Sequence, residues 1–196
     1  MTPVSDKELQ QAIVTILRAI GEDPTREGLV GTPGRICRMY KELFRGYDPA
    51  QKPRITTFEN DSHSTEMVFD AGDFYSMCEH HMMPFFGTYW FAYLPNPKGK
   101  ILGISKVARV IDYCAAKLQV QERLTRDVVE MLNEALGDEY PPLGMALVMK
   151  GTHLCKTMRG ARKEGMMTSS FLTGRFKSSA ALRSEFLKMV DNKVRM

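Results

Sequence analysis

The chain has 196 residues, of which 43% are hydrophobic and 26% are charged, a composition typical of one soluble globular domain with at most a small appendage. This composition excludes a disordered or collagen-like chain, and no apolar run approaches the roughly 20 residues needed to cross a bilayer. The net charge of +4 is unevenly distributed. Residues 151–196 contain ten Lys/Arg and three Asp/Glu, whereas the first 150 residues contain 17 Lys/Arg and 20 Asp/Glu. The basic C-terminal quarter indicates either an anionic partner or a solvated basic helix end.

The first ten residues are polar and mixed in charge, without the apolar segment of a signal peptide, so we expect a cytoplasmic protein. In that compartment cysteines are not expected to form a disulfide framework. The four cysteines are Cys37, Cys78, Cys114 and Cys155. Two of them fall in tight clusters with histidine, which indicates a metal site, whereas Cys37 and Cys114 lie in helical patterns and are expected to be buried.

Two amphipathic helices are predicted near the N-terminus. Ser5 and Glu8 have the spacing of a capping box, and Thr32 is the expected N-cap of the second helix with Pro33 as its first residue. Apolar residues recur on one face of each helix: Leu9, Ile13, Leu17 and Ile20 in the first, and Ile36, Met39, Tyr40 and Leu43 in the second.

The rest of the chain reads as a mixture of strands and helices. Strands are predicted at 66–69, 88–94, 144–150 and 167–175 because these segments are rich in β-forming residues. Helices are predicted from Ile104 to Leu118, from Leu124 to a stop at Gly137, and over 180–190, with a break near Gln119 between the first two. This order predicts an α+β fold in which helices cover one face of an antiparallel sheet behind an N-terminal helical arm.

A metal centre is predicted around the sequence Cys78-Glu79-His80-His81. Two residues separate Cys78 from His81, so one turn of the chain can bring both to a metal. The side chains of the adjacent residues His80 and His81 point in different directions. One of these histidines should therefore bind the metal and the other face a substrate. Cys155 is the natural third ligand. If the chain around it is extended, alternation places four side chains on one face: His153, Cys155, Thr157 and Arg159.

Two thiolates and one imidazole suit Zn²⁺, and three protein ligands leave the fourth tetrahedral position for a water that attacks an electrophilic carbon. Two alternatives stay open. His80 or His153 could complete a closed, structural four-ligand site, or the cysteines could pack as small hydrophobic residues.

An anion site is predicted where Gly103-Ile104-Ser105-Lys106 leads into a helix, because a helix N-terminus presents free N–H groups to phosphate. Lys106 and Arg109 lie on one face of that helix and, with Ser105, could hold a polyphosphate. Glu122 could accept hydrogen bonds from N1–H and the 2-amino group of guanine. Each of these residues also has a purely structural interpretation. Ser105 could simply cap the helix, with Lys106 and Arg109 as ordinary surface residues. Glu122 could simply stabilise the first turn of its own helix.

Several motifs in this order resemble the GTP cyclohydrolase I family. The segments that carry the resemblance are 76–81, 103–109, 119–124, 153–155 and 158–160, with support from 31–35 and 174–176. It covers about residues 26–190, most of the chain. The resemblance implies hydrolytic opening of the guanine imidazole ring of GTP, which gives formate and 7,8-dihydroneopterin triphosphate.

The resemblance also implies residue roles. Zinc ligands would be Cys78, His81 and Cys155, and the acid–base pair would be His80 and His153. The base and ribose contacts would be Gln121 and Glu122. The triphosphate contacts would be Ser105, Lys106, Arg109 and Arg159, together with Arg35.

The family fold implied is the tunnelling fold, in which subunits close β-barrels around an axis, typically as a decamer with active sites at subunit interfaces. We therefore assign residues 1–60 to a helical arm and 61–196 to a tunnelling-fold catalytic domain, and expect no nucleic-acid or membrane partner. The alternative functions are a tunnelling-fold relative acting on another purine or pterin, and a structural zinc module that binds nucleic acid through its basic end.

Overall fold

The structure is a computed structural model that describes residues 4–194, with side chains as far as Asp191. The chain divides into two compact units after Arg45. The predicted boundary at residue 60 stays a prediction, and residues 1–3 and 195–196 of the predicted domains lie outside the described residues.

The first unit is a pair of helices, α1 (Asp6–Ala19) and α2 (Thr32–Leu43). The predicted capping box is present, because Ser5 N donates to Glu8 Oε2 at 2.8 Å and Glu8 N donates to Ser5 Oγ at 3.3 Å. Ile13 and Leu17 are buried as expected, whereas Ile20 follows the last helical residue and is exposed.

The predicted buried face of α2 is confirmed except at Met39, because Ile36, Tyr40 and Leu43 are half-buried. Pro33 and Cys37 are buried and Tyr40 is half-buried, which follows the i, i+4, i+7 spacing, whereas Met39 points to solvent. The N-cap is Gly31 rather than Thr32, which becomes the first helical residue.

The second unit is built on a five-stranded sheet. Its strands are β2 (Val68–Cys78), β3 (Pro84–Leu94), β5 (Leu118–Gln119), β6 (Gly144–His153) and β7 (Met166–Leu172), in the order β5-β2-β3-β6-β7. All neighbours are antiparallel except β5, which pairs with β2 in parallel. A separate two-stranded sheet joins β1 (Thr57–Glu59) to β4 (Lys100–Leu102).

Helices cover both faces of this sheet. The described part of this unit has five α-helices: α3 (Lys106–Ala115), α4 (Gln121–Leu136), α5 (Leu154–Thr157), α6 (Gly174–Ser178) and α7 (Ala180–Val194). Helices α3 and α4 pack on one face, where Ile111 and Leu124 join Phe91 of β3 in the larger core. On the opposite face Phe176 and Phe186 join alternate residues of β3 in a second core. The α+β prediction is therefore confirmed, but the prediction of helices on one face only is wrong.

Helix α3 begins two residues later than the predicted apolar stripe. Ser105 is its N-cap, so Ile104 lies before the helix and is 94% exposed. Among the described residues, no helix combines the length and apolar character of a membrane span.

Stability at high pH depends on Cys114. Burial in the core raises the pKa of this thiol to about 12, from an ordinary value of 9.0. The thiol ionises in the unfolded chain before it ionises in the folded one, so native stability is lost as pH rises from about 9 to about 12. We expect the free energy of unfolding of the wild type to fall by up to about 1.4 kcal/mol per pH unit more steeply than that of Cys114→Ala. Urea denaturation at several alkaline pH values checks this, and parallel curves would contradict it.

Candidate active site

Cys78 lies at the end of β2, where three backbone contacts fix the chain. Cys78 pairs with Gln119 of the parallel strand β5, and Glu79 N donates to Gln119 O at 3.1 Å. The turn that follows is closed by Cys78 N, which donates to Met83 O at 2.8 Å, and by Met82 N, which donates to Cys78 O at 2.8 Å. The two predicted histidines of this turn are exposed on its outer side.

Cys155 lies in the short helix α5, directly after β6. The predicted extended row of His153, Cys155, Thr157 and Arg159 is therefore wrong beyond His153. Local hydrogen bonds explain the difference: Thr157 Oγ1 donates to His153 O at 3.2 Å, and Met158 N donates to Leu154 O at 3.0 Å. The chain turns at the end of the strand and carries Cys155 back towards β2.

The two thiols meet across this turn. Cys155 Sγ lies 3.7 Å from Cys78 Sγ, although 77 residues separate them in sequence. His80 Nδ1 lies 3.6 Å from Cys78 Sγ. Burial raises the pKa of the Cys155 thiol, and its hydrogen bond to Cys78 acts in the same direction. Within residues 4–194, no three His, Cys, Asp or Glu side chains are already gathered as a metal-binding group.

His81 turns to a different partner from His80. Arg159 Nη1 donates to His81 Nε2 at 2.7 Å, and because a guanidinium has no acceptor, this ring nitrogen must accept. The structure thus brings the predicted triphosphate contact Arg159 next to the predicted zinc ligand His81. Of the predicted anion residues, Arg159 lies at this end of the sheet. Ser105 and Lys106 follow β4, whose Leu102 N donates to Tyr93 Oη towards the other end of β3.

His153, the last residue of β6, is held by packing and by a hydrogen bond. Its ring stacks on Phe85, with centroids 4.6 Å apart and planes 7° apart, and its Nε2 lies 2.9 Å from Gln121 Oε1. Burial lowers the pKa of the His153 imidazole, opposed by the Glu122 carboxylate. The neutral imidazole is therefore favoured.

The other predicted site residues begin helices. Ser105 is the exposed N-cap of α3, whose first turn carries Lys106 and Arg109, and Glu122 is exposed in the first turn of α4. Gln121 is fully buried beside His153 rather than exposed. Arg35 lies in α2, in the first unit.

Comparison with known proteins decides the family. The family model for GTP cyclohydrolase I matches residues 9–191. The chain belongs to the GTP cyclohydrolase I family. The match runs through both units and contains every predicted site residue.

Bacterial relatives support the assignment. A protein named GTP cyclohydrolase 1 from Caldanaerobacter subterraneus subsp. tengcongensis is 45% identical over 96% of this chain and 98% of its own length. Proteins of the same name from Halalkalibacterium halodurans and Bacillus subtilis are each 41% identical over 97% of this chain, covering 99% and 98% of their own lengths. The chain is therefore a GTP cyclohydrolase I-type enzyme, and its α+β architecture is consistent with the tunnelling fold of that family.

Sequence reasoning missed Arg123 as a support of this GTP cyclohydrolase I site. Its Nη2 donates to Glu79 Oε2 at 2.5 Å and to Leu118 O at 3.0 Å, and its Nε donates to Gln119 Oε1 at 2.7 Å. Arg123 therefore ties the turn after Cys78 to β5 and to α4. The signal was present in the sequence, since Glu79 and Arg123 are opposite charges inside two separate family motifs.

Replacing Arg123 with leucine is expected to destabilise the second unit by about 1–3 kcal/mol, because the change removes charge-assisted hydrogen bonds to three partners. Urea denaturation measures the effect. Arg126→Leu is the matched control, since Arg126 lies on the same helix and its nearest carboxylate contacts are 3.7 and 3.8 Å long. Equal losses in the two variants would contradict a special role for Arg123.

Proposed function

We propose that this enzyme uses water to open the imidazole ring of GTP, releases C8 as formate and forms 7,8-dihydroneopterin triphosphate. The observation that carries the proposal is the Cys78–Cys155 thiol pair at 3.7 Å, with His80 beside Cys78 and His153 two residues before Cys155. A pair of thiols from distant parts of the chain is well suited to hold a catalytic metal.

The proposed cofactor is Zn²⁺, bound by Cys78, Cys155 and His81. The donor set fits, because Zn–S bonds of about 2.3 Å at a tetrahedral angle place two sulfur atoms about 3.8 Å apart. Thiolate ligands also favour zinc over harder divalent ions. When bound, the metal supplies Lewis-acid activation of the hydrolytic step.

Proton transfer is assigned to His80 and His153. His153 is held rigidly by Phe85 and by its hydrogen bond at Nε2, and its lowered pKa keeps a neutral ring ready to take up a proton. His80 lies beside the thiol pair, with its Nδ1 3.6 Å from Cys78 Sγ. A neutral imidazole can take the proton that the attacking water loses and pass it to a ring nitrogen of the substrate, and two imidazoles in different surroundings suit two such transfers in succession.

Substrate binding is assigned to the helix starts. Glu122 accepts from N1–H and the 2-amino group of guanine, with Gln121 beside it. The triphosphate contacts are assigned to Ser105, Lys106, Arg109 and Arg159, with Arg35 as an additional contact. Four cations assigned to this contact support a polyanionic group over an uncharged purine, because each cation adds Coulomb attraction to a phosphate.

We further propose a homo-oligomer, a decamer as in the family, with active sites completed by neighbouring subunits. Support comes from the end of the sheet that α6 and α7 do not cover. There the rings of Tyr75 and Phe86 stack with centroids 6.1 Å apart, and Tyr75 is 72% exposed. Exposed stacked aromatic residues on a sheet are typical of an interface. A cytoplasmic location is proposed because the four free thiols suit a reducing compartment.

The deciding experiment incubates the zinc-loaded protein with GTP and measures formate together with the fluorescence of oxidised neopterin. Both products should form in equal amounts. Formate without a neopterin product, or turnover of another purine in preference to GTP, would refute the assigned reaction and favour a tunnelling-fold relative of different specificity. Salt-dependent RNA binding without turnover would favour the nucleic-acid alternative.

Glu122→Gln is expected to lower kcat/KM for GTP by about 10- to 100-fold, because the charge is lost and one of the two carboxylate oxygens facing the guanine donors becomes an NH₂ donor. The loss should appear mainly in KM, since guanine is held alike in ground and transition states. Glu130→Gln is the matched control, two turns further along α4 and exposed. Unchanged kinetics of Glu122→Gln would remove Glu122 from the guanine site.

A further inference from the structure

A buried polar network lies behind His153. It joins Gln121 and Thr125 of α4 to Ser169 of β7, and Gln121 is completely buried. Thr125 Oγ1 donates to Gln121 O at 2.6 Å and lies 2.7 Å from Ser169 Oγ. Polar groups this deeply buried are satisfied only by partners in fixed positions, so the network has one favoured arrangement.

The backbone sets the orientation of the Gln121 amide. Gln121 Nε2 lies 2.9 Å from Met149 O and 3.1 Å from Met167 O, and it also lies 3.1 Å from Ser169 Oγ. Carbonyl oxygens only accept hydrogen bonds, so the NH₂ group must face the two strands. The amide oxygen then faces the opposite way, towards His153.

Gly151 provides the space for this oxygen. A Cβ atom at Gly151 would lie 2.7 Å from Gln121 Oε1 and 3.1 Å from Phe74 Cζ, so any side chain there would displace the amide. Stacking on Phe85 fixes the plane of the imidazole ring. The ring and the amide are thus each held by contacts that do not involve the other.

We infer that Gln121 is a positioning residue that holds His153 as the Nε2–H tautomer, so that Nδ1 is the ring atom that exchanges a proton with the substrate. An amide oxygen carries no hydrogen, so at 2.9 Å the imidazole Nε2 must be the donor. A neutral imidazole with its hydrogen on Nε2 has its free electron pair on Nδ1. The tautomer follows from the protein alone, whereas the exchange at Nδ1 rests on the proposed function of His153.

This role differs from the guanine or ribose contact predicted for Gln121. A substrate contact binds the ground state, so its loss raises KM, whereas a residue that sets the tautomer of an acid–base group changes kcat. Neighbouring Glu122 is exposed and free to meet the substrate, so the two adjacent residues have separate tasks.

The first test is nitrogen NMR of the zinc-loaded wild type labelled with ¹⁵N-histidine, at a pH where His153 is neutral. Subtracting the spectrum of His153→Ala identifies the two His153 signals among the four histidines. We expect a protonated Nε2 and an unprotonated Nδ1. A His153 signal pair with the hydrogen on Nδ1 overturns the inference, whatever the behaviour of any variant.

The second test replaces Gln121 with leucine, which keeps the volume but removes both the acceptor and the donors. We expect His153 to show a mixture of tautomers and kcat to fall by about 100-fold, with KM for GTP nearly unchanged. Ser170→Ala, on the exposed side of the same strand β7, is the control and should keep the wild-type tautomer. A raised KM with unchanged kcat in Gln121→Leu overturns the inference in favour of a substrate contact.

The two tests separate the inference from the proposed function. Because the NMR measurement needs no substrate, a wild-type protein with the Nε2–H tautomer but no formate release from GTP would refute the function and leave the positioning role of Gln121 supported. Formate release together with the Nδ1–H tautomer would refute the positioning role alone.

Discussion

Replacing Cys155 with alanine is expected to abolish zinc binding and formate release together. Only one sulfur of the 3.7 Å pair would then be left, and the remaining ligands come from a single turn of chain. Because loss of a group that merely supports a ligand already weakens metal binding by about 10–100-fold, loss of a ligand should weaken it by at least about 100-fold. Metal content after dialysis, measured by atomic emission, and formate release from GTP check the expectation.

The matched control is Cys37→Ala, which also removes a buried thiol but lies in α2 of the first unit. It should bind one zinc per chain and release formate at the wild-type rate. A wild-type zinc content in Cys155→Ala would rule out Cys155 as a ligand. Far-ultraviolet circular dichroism of both variants separates loss of the metal from loss of the fold.

The second large effect is expected from His153→Ala. Zinc content should stay at the wild-type level, because His153 contacts Gln121 and Phe85 rather than the thiol pair. Turnover of GTP should fall by about 100- to 10,000-fold, the range over which a positioned acid–base group accelerates reactions. Steady-state kinetics with parallel metal analysis measures both quantities.

His63→Ala is the control for this variant, since His63 is an exposed histidine whose Nδ1 contacts Pro97 O in a distant loop. It should keep full activity. Full activity in His153→Ala would remove His153 from the mechanism, whereas loss of zinc would assign it to the metal site instead.

The motifs predicted that Cys78 and Cys155 meet, because the chemistry of metal binding restricts residue types more tightly than folding does. Few side chains bind zinc, so the cluster around Cys78 could be paired with the distant Cys155 from sequence, and the structure places their sulfur atoms 3.7 Å apart. The capping box of α1 was equally predictable, since it depends on two residues three positions apart. Local rules of this kind need no knowledge of the tertiary fold.

Features that depend on packing could not be predicted in the same way. The prediction of an extended segment after His153 was wrong. The Thr157 hydroxyl and a backbone hydrogen bond turn the chain into a short helix where the alternation of side chains had indicated a strand. Ile104 fits a helical stripe by spacing but precedes the helix, and helix starts vary by several residues. The burial of Gln121 depends on where α4 crosses β6 and β7, which no local pattern encodes.

The separation of the two thiols along the chain gives the proposed metal a second consequence. Cys78 ends β2 and Cys155 follows β6, and both strands pair with β3. A metal held by both thiols would link residues 77 positions apart. We expect such a crosslink to slow the separation of the two strand ends during unfolding, because it constrains a long stretch of chain.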